Sequence, residues 1–288
     1  DGRYGMLETA ATDPYTGCGF RKVICISALK DFLVHHMSNR YVGQLGLPIL
    51  SFEDQIKTLM DIGAGQHPAK TLLKWESKML HGRWSKSYYE KPASELLAMV
   101  PANAKAILSI GCGWGDTEDE LKQRGAEVIA LPLDSVIGAV AAARGIKVIY
   151  GTWDECLSSW DGRRFDCVLM RDLLHLQANP GQLIEQCSRL VKNGGTLVLA
   201  GPNFSRVPWF IKRLFGIGDF RKLKSFDLSG ITVCGPESLA RPIRNAGLRI
   251  SRAGWFNHEI HQGALRGRRI SLGKLTAREW VLQAQRDL

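Results

Sequence analysis

Between Lys105 and Pro202 the chain alternates apolar runs of strand length with segments of helical spacing. The runs are KAILSI, EVIALP, KVIYG, FDCVLM and GTLVLAGP; the segments between them are DTEDELKQRG, DSVIGAVAAARG, DECLSSW and NPGQLIEQCSRLVKNGG. Strands that are apolar throughout are buried on both faces, and βα repeats with short connections build parallel sheets. The pattern predicts an α/β fold, a Rossmann-like sheet with helices on both faces. Gly125, Gly145 and Gly194 stand where helix C-caps belong, and Asp134 and Asn179 where N-caps belong.

Gly111, Gly113 and Gly115 fall where the first of these strands gives way to a helix. That is the carboxyl edge of a doubly wound sheet, where ligands bind. Glycine there lets the backbone turn tightly and approach a ligand closely, with free N–H groups at the helix start behind it. The spacing is G-x-G-x-G, whereas a dinucleotide fingerprint is G-x-G-x-x-G. Asp116, Glu118, Asp119 and Glu120 crowd the first turns of the helix, which suits its dipole but repels a pyrophosphate. A phosphate-free ligand is expected, and a nucleotide-binding oxidoreductase is disfavoured.

ILSIGCGWGDTEDEL resembles the first motif of class I S-adenosylmethionine-dependent methyltransferases, VLDVGCGxGxxxxxL. FDCVLMRDLLHLQANPGQLIEQCSRLVKNGGTLVLAGPN resembles their later block, FDxVxxxxxLxHLxDPxxxLxxxxRLLKPGGxLxxxxPN, and SYYEKPASELLAMVPANAK resembles the lead-in of bacterial members. The resemblance covers about residues 86–255. It implies a mostly parallel seven-stranded sheet, S-adenosylmethionine as cofactor, and methyl transfer to an O or N acceptor. Bacterial look-alikes suggest a small molecule, sugar or glycan-linked acceptor. Implied cofactor-binding positions are Tyr89, Ser109, Gly111, Cys112, Gly113, Trp114, Gly115, Asp134, Thr152, Trp153, Asp154 and Arg171.

Three positions depart from the family pattern. Ser109 stands where the family has an acid, Pro132 near the place of the ribose-binding acid, and Thr152 where an adenine-binding Asp is usual. Each lost charge-assisted hydrogen bond is worth about 1.5–3 kcal/mol. Asp134 and Asp154 are nearby substitutes, and Trp153 offers a ring for adenine. The departures also fit a rival reading, a non-catalytic interaction module that keeps the fold. For catalysis the candidates are His175 and Asp172, just past the fourth strand at the same edge; a His there also fits a purely packing role. His35 and His36 have no identifiable third ligand, so no metal is expected.

The formal charge is +10, much of it local: residues 206–224 hold six Lys/Arg against one acid. No nucleic-acid-binding motif accompanies it, so no specific nucleic-acid partner is expected. RVPWFIKRLFGIG reads either as a lid over the acceptor pocket, the preferred reading, or as an interfacial helix touching anionic membrane. The seven cysteines are scattered, without zinc spacing, and read as buried free thiols. With no apolar run long enough to span a membrane, the expected location is cytoplasmic, or peripheral to a membrane. The opening residues, DGRYG, look like the inside of a longer polypeptide. The expected organisation is a mainly helical extension over 1–85, with helices over 28–46, 51–63 and 67–80, the methyltransferase domain over 86–257, and a basic strand/helix tail over 258–288, ending in a helix from Thr276. Nothing in the sequence fixes the oligomeric state.

Overall fold

The computed structural model describes residues 7–12, 19–24, 73–256 apart from 80, 81, 88, 89, 134 and 161, and 274–287. β1 (Leu7–Thr12) and β2 (Gly19–Ile24) pair antiparallel as a small sheet of their own. The main sheet contains β3 (Ala106–Cys112), β4 (Glu127–Pro132), β5 (Lys147–Val148), β6 (Phe165–Arg171), β7 (Val191–Pro202), β8 (Leu248–Phe256) and β9 (Glu279–Arg286). Their order is β5-β4-β3-β6-β7-β9-β8. The pairs from β5 through β7 are parallel, and β9 runs against both its neighbours. The mostly parallel seven-stranded sheet expected from the sequence is therefore present.

The apolar runs form strands because both faces are covered. Leu108 and Ile110 of β3 point into one core with Leu183 and Ile184 of α5 (Pro180–Ser188). Ile107 points the other way, into a core with Leu96 and Leu97 of α1 (Ser94–Leu97) and Leu121 of α2 (Asp116–Gln123). Asn179 caps α5 by accepting from the Gln182 N–H, as its position suggests. α3 (Ser135–Ala143) and α4 (Trp153–Ser159) complete the repeat, and α4 opens on a capping box between Thr152 and Glu155. Beyond β7 come α6 (Val207–Leu214), a 3₁₀ helix at Gly218–Lys224, α7 (Phe226–Ser229) and α8 (Pro236–Asn245).

Two expectations need correction. The segment from Thr276 is not a final helix: Glu279–Arg286 is β9, an interior strand, with Trp280, Val281, Leu282 and Ala284 all buried. Glu, Gln, Ala and Arg in this stretch favour helix, but burial on both faces overrides propensity. The Trp280 indole donates to the Pro202 carbonyl (3.1 Å), and its ring fills the space beside Gly201. The last strand thus joins the sheet rather than forming a separate tail. Second, the helix expected over 67–80 is absent at 73–79. That stretch is an irregular strap, held by Lys78 N–H donating to Ser229 O (2.8 Å) and by Gln177 Nε2 donating to Lys74 O (2.8 Å). β1 and β2 belong to the N-terminal extension, and the helices expected there over 28–46 and 51–63 lie outside the described residues. Cys112, Cys156, Cys167, Cys187 and Cys234 are free and buried, as expected.

An interior β9 makes a direct demand on stability. Leu282→Ala should cost about 2–5 kcal/mol in urea unfolding; a cost of a few tenths would mean the segment is not core.

Candidate active site

The glycine loop follows β3 at the carboxyl edge of the sheet. Gly111 has φ 78°, and a Cβ there would lie 2.1 Å from Leu173 Cδ1, so glycine is required both for conformation and for space. Gly115 is left-handed (φ 97°) and starts α2. Arg144 clamps the loop: it pairs with Asp116 (2.5 Å), donates to Trp114 O (3.1 Å) and lies over the Trp114 ring. Trp114 is therefore packed beneath a cation rather than open to a ligand. Cys112 is buried, its Sγ directed at Gly113 O (3.1 Å), and burial pushes its thiol up.

At Ser109 the missing acid is replaced from another element. Ser109 Oγ donates to Glu118 Oε1 (2.5 Å), and both residues are buried. Glu118 lies one turn before Leu121 on the covered face of α2, which brings its carboxylate to the strand it faces. Burial raises the Glu118 pKa, while the Ser109 hydrogen bond, its own backbone N–H and Lys86 pull it back. Sequence reasoning used Glu118 only as a dipole partner. The available signal was its i, i+3 relation to a core leucine.

The other lost acids are not replaced in this way by described residues. Pro132 ends β4 packed against Gly138, where an added Cβ would lie 2.7 Å from both Pro132 Cγ and Tyr150 Cε1. Thr152 caps α4, its N–H donating to Glu155 (2.7 Å). Trp153 is buried in the core, with its indole donating to Gln186 (2.8 Å). Asp154 is exposed in the first turn of α4. Tyr89 and Asp134 lie outside the described residues.

A second set of charges gathers at the ends of β6 and β9. Arg171 is buried and meets Glu90 (3.0 Å), Glu279 (3.1 Å) and Asp172 (3.5 Å), and donates to Lys91 O (2.9 Å). Lys86, also buried, pairs with Glu90, and its field reaches Glu118, Cys112, Asp172 and His175. Burial raises the Arg171 partners Glu90 and Asp172 above the usual carboxyl range; for Asp172 the Glu279 charge adds to the rise, opposed by Arg171 and Lys86. Asp172 holds φ 52°, and the neighbouring Glu90 side chain works against the rise of its pKa. Lys86 and Glu90 were missed in the sequence, where they are visible only as an i, i+4 pair in the lead-in.

His175 is 1% exposed, in a 3₁₀ turn at Leu174–Leu176. Its Nε2 donates to Trp84 O (2.6 Å), which fixes the tautomer and leaves Nδ1 buried without a partner. Phe204 lies beside its ring, and Trp84 packs edge-on to Phe204, Trp209 and Phe220. Burial lowers the His175 pKa to about 4. Among the described residues no group of His, Cys, Asp and Glu is placed to hold a metal, and no helix is long and apolar enough to cross a membrane.

The donor set fits S-adenosylmethionine. Gly111 and Gly115 let the loop turn closely against Leu173 and Ile146 at the start of α2, and the acids there disfavour phosphate. A buried cation beside buried carboxylates matches a zwitterionic amino-acid end. Strand order and loop together define a class I S-adenosylmethionine-dependent methyltransferase, with S-adenosylmethionine as its cofactor. The chain belongs to the family described as methionine biosynthesis protein MetW, whose family model matches residues 91–234. Curated relatives include a ubiquinone biosynthesis O-methyltransferase of Azoarcus sp. (strain BH72), 27% identical over 191 residues, which span 60% of this chain and 80% of the relative. Another of that name, from Pseudomonas aeruginosa (strain LESB58), is 33% identical over 105 residues, 34% of this chain and 45% of the relative. Among solved structures, magnesium protoporphyrin IX methyltransferase (ChlM) from Synechocystis PCC 6803 with bound SAH matches with TM-score 0.47 and 17% identity. That match covers 67% of this chain and 80% of the other.

The lowered His175 pKa fixes the sign of a pH effect. Between about 4 and the ordinary 6.5 the unfolded chain binds more protons at this site than the fold does. The contribution of neutral His175 is complete above 6.5 and is lost as pH falls toward 4. His175→Gln should therefore lose stability less steeply than wild type over that window in urea titrations. Parallel curves would mean that His175 is not held neutral.

Proposed function

We propose that this methyltransferase transfers its methyl group to an oxygen acceptor, a small molecule or a lipid- or glycan-linked hydroxyl, with Asp172 as general base. The observation that carries the reading is the site's division of charge. Lys86 is the cation for the cofactor's α-carboxylate, Glu118 and Glu90 are the anions for its α-ammonium, and Asp172 stands at the edge of β6 facing the acceptor side. The loop Gly111–Gly115 and Thr152 flank the adenosine end, with Asp134 and Tyr89 as further candidates.

Bound S-adenosylmethionine supplies an electrophilic methyl on a sulfonium. Asp172 would take up the proton of the acceptor hydroxyl whose oxygen receives that methyl. A raised carboxyl pKa brings this base nearer working pH. The names of the curated relatives, O-methyltransferases, favour oxygen over nitrogen. His175 acts as a positioning residue: its bond to Trp84 O sets the strap that carries Lys86, and its buried Nδ1 is out of an acceptor's reach.

The first test is calorimetry with S-adenosylhomocysteine. Wild type should bind in the micromolar range, and Lys86→Met and Glu118→Gln should each weaken binding about tenfold or more, as expected for loss of one charge-assisted hydrogen bond. Unchanged affinity in both would remove the proposed seat. The second test is transfer of labelled methyl to phenolic, isoprenoid and glycan hydroxyls. Asp172→Asn should lower kcat about 10²-fold or more, with S-adenosylhomocysteine affinity retained and the acid limb of the pH profile gone. A profile that keeps that limb would exclude Asp172 as the base.

A further inference from the structure

α6 has no buried residue. Its inward contact is Trp209, whose ring meets Trp84 at 5.2 Å. Outward it presents Phe210 (45% exposed), Ile211 (43%), Leu214 (63%) and Phe215 (72%), and Ile217 continues the patch. A contiguous apolar surface of this kind on a monomer marks a contact with something else.

The charge around it narrows what that is. Arg206, Lys212, Arg213, Arg221, Lys222 and Lys224 surround the patch, and the acid within 206–224, Asp219, is already paired with Lys222 (3.2 Å). Three of the cations lie along aromatic rings: Arg206 over Trp209, Arg213 over Phe210 and Lys212 over Phe220, at 5.6–5.8 Å. Their stems cover apolar surface while the heads stay at its rim, the disposition of snorkelling side chains at a lipid headgroup layer. The sequence preferred a lid for this segment. A lid keeps its apolar face toward the site, whereas here the large apolar side chains of α6 face solvent.

We propose that α6 and the following 3₁₀ helix are a docking face for an anionic lipid bilayer: Phe210, Leu214 and Phe215 enter the acyl boundary and the surrounding cations meet phosphate headgroups. A basic rim without free acid complements lipid phosphate. The face rests on its own geometry and does not depend on which acceptor is methylated. Because α6 is joined through Trp209 and Trp84 to His175 at the site, the docked enzyme holds its active-site edge toward the membrane.

The test is co-sedimentation of the full chain with phosphatidylcholine vesicles, with and without phosphatidylglycerol. Binding is expected only with the anionic lipid and should fall as salt rises. Phe210→Ser/Leu214→Ser/Phe215→Ser and Lys212→Glu/Arg213→Glu should each weaken it about tenfold or more, with S-adenosylhomocysteine affinity and thermal melting unchanged. No binding to anionic vesicles, or binding that survives both sets of substitutions, overturns the proposal. So does a dimer in sedimentation equilibrium that the triple substitution dissociates, because the face then belongs to a second copy.

Discussion

The guanidinium of Arg171 joins three separate parts of the chain at one buried point. Glu90 comes from the lead-in, Asp172 from the end of β6 and Glu279 from the start of β9, and Lys91 adds a backbone carbonyl. Burying a cation is costly unless every donor finds an acceptor. Arginine suits the position because its planar fork can serve several acceptors together. Burial alone would lower its pKa; Glu90, then Asp172 and Glu279, outweigh that and raise it, so the charge is permanent. Through Glu90 the same point fixes Lys86, whose backbone N–H donates to Trp75 O (2.9 Å) and so ties down the strap. The strap in turn presents Trp84 O to His175. Lead-in, strap and antiparallel strand thus take their positions around a single ion cluster, at the edge where the glycine loop opens.

That dependence explains why the site tolerates the loss of family carboxylates. At Ser109 the charge has moved rather than vanished: a small hydroxyl on the strand leaves space for Glu118 to reach in from α2. At Pro132 the space has been filled by close packing with Gly138 and Tyr150. At Thr152 the hydroxyl serves the helix. The two ends of the pocket have therefore diverged. The end near β3 and β6 is rich in buried charge, whereas the described residues at the ends of β4 and β5 are engaged in packing and capping.

β3, β6 and β7 were legible because an unbroken apolar strand has few other places to go than the middle of a covered sheet, and the cap at Asn179 was legible because its chemistry is local. β9 was not, because what makes it a strand lies outside it: Val198 and Leu199 of β7 and Ala253 and Gly254 of β8 set its register. The site divides in the same way. Gly111 and Gly115 announce themselves through spacing, since a close approach is a backbone requirement. Glu118, Lys86 and Glu90 do not, because a charged side chain on an amphipathic segment is normally a solvated one. Only the fold shows which of them is turned inward.

The same division bears on acid–base chemistry. Two titratable groups, His175 and Asp172, stand three residues apart at one sheet edge, and their environments push them in opposite directions. Burial among aromatic rings strips His175 of its positive form, and its bond to Trp84 commits the protonated nitrogen to the scaffold. The lone pair that remains is enclosed. Burial and then the Glu279 charge push Asp172 toward holding a proton, opposed by Arg171 and Lys86. In the proposed mechanism His175 therefore belongs to the frame, and the carboxylate beside Arg171 takes the base's role.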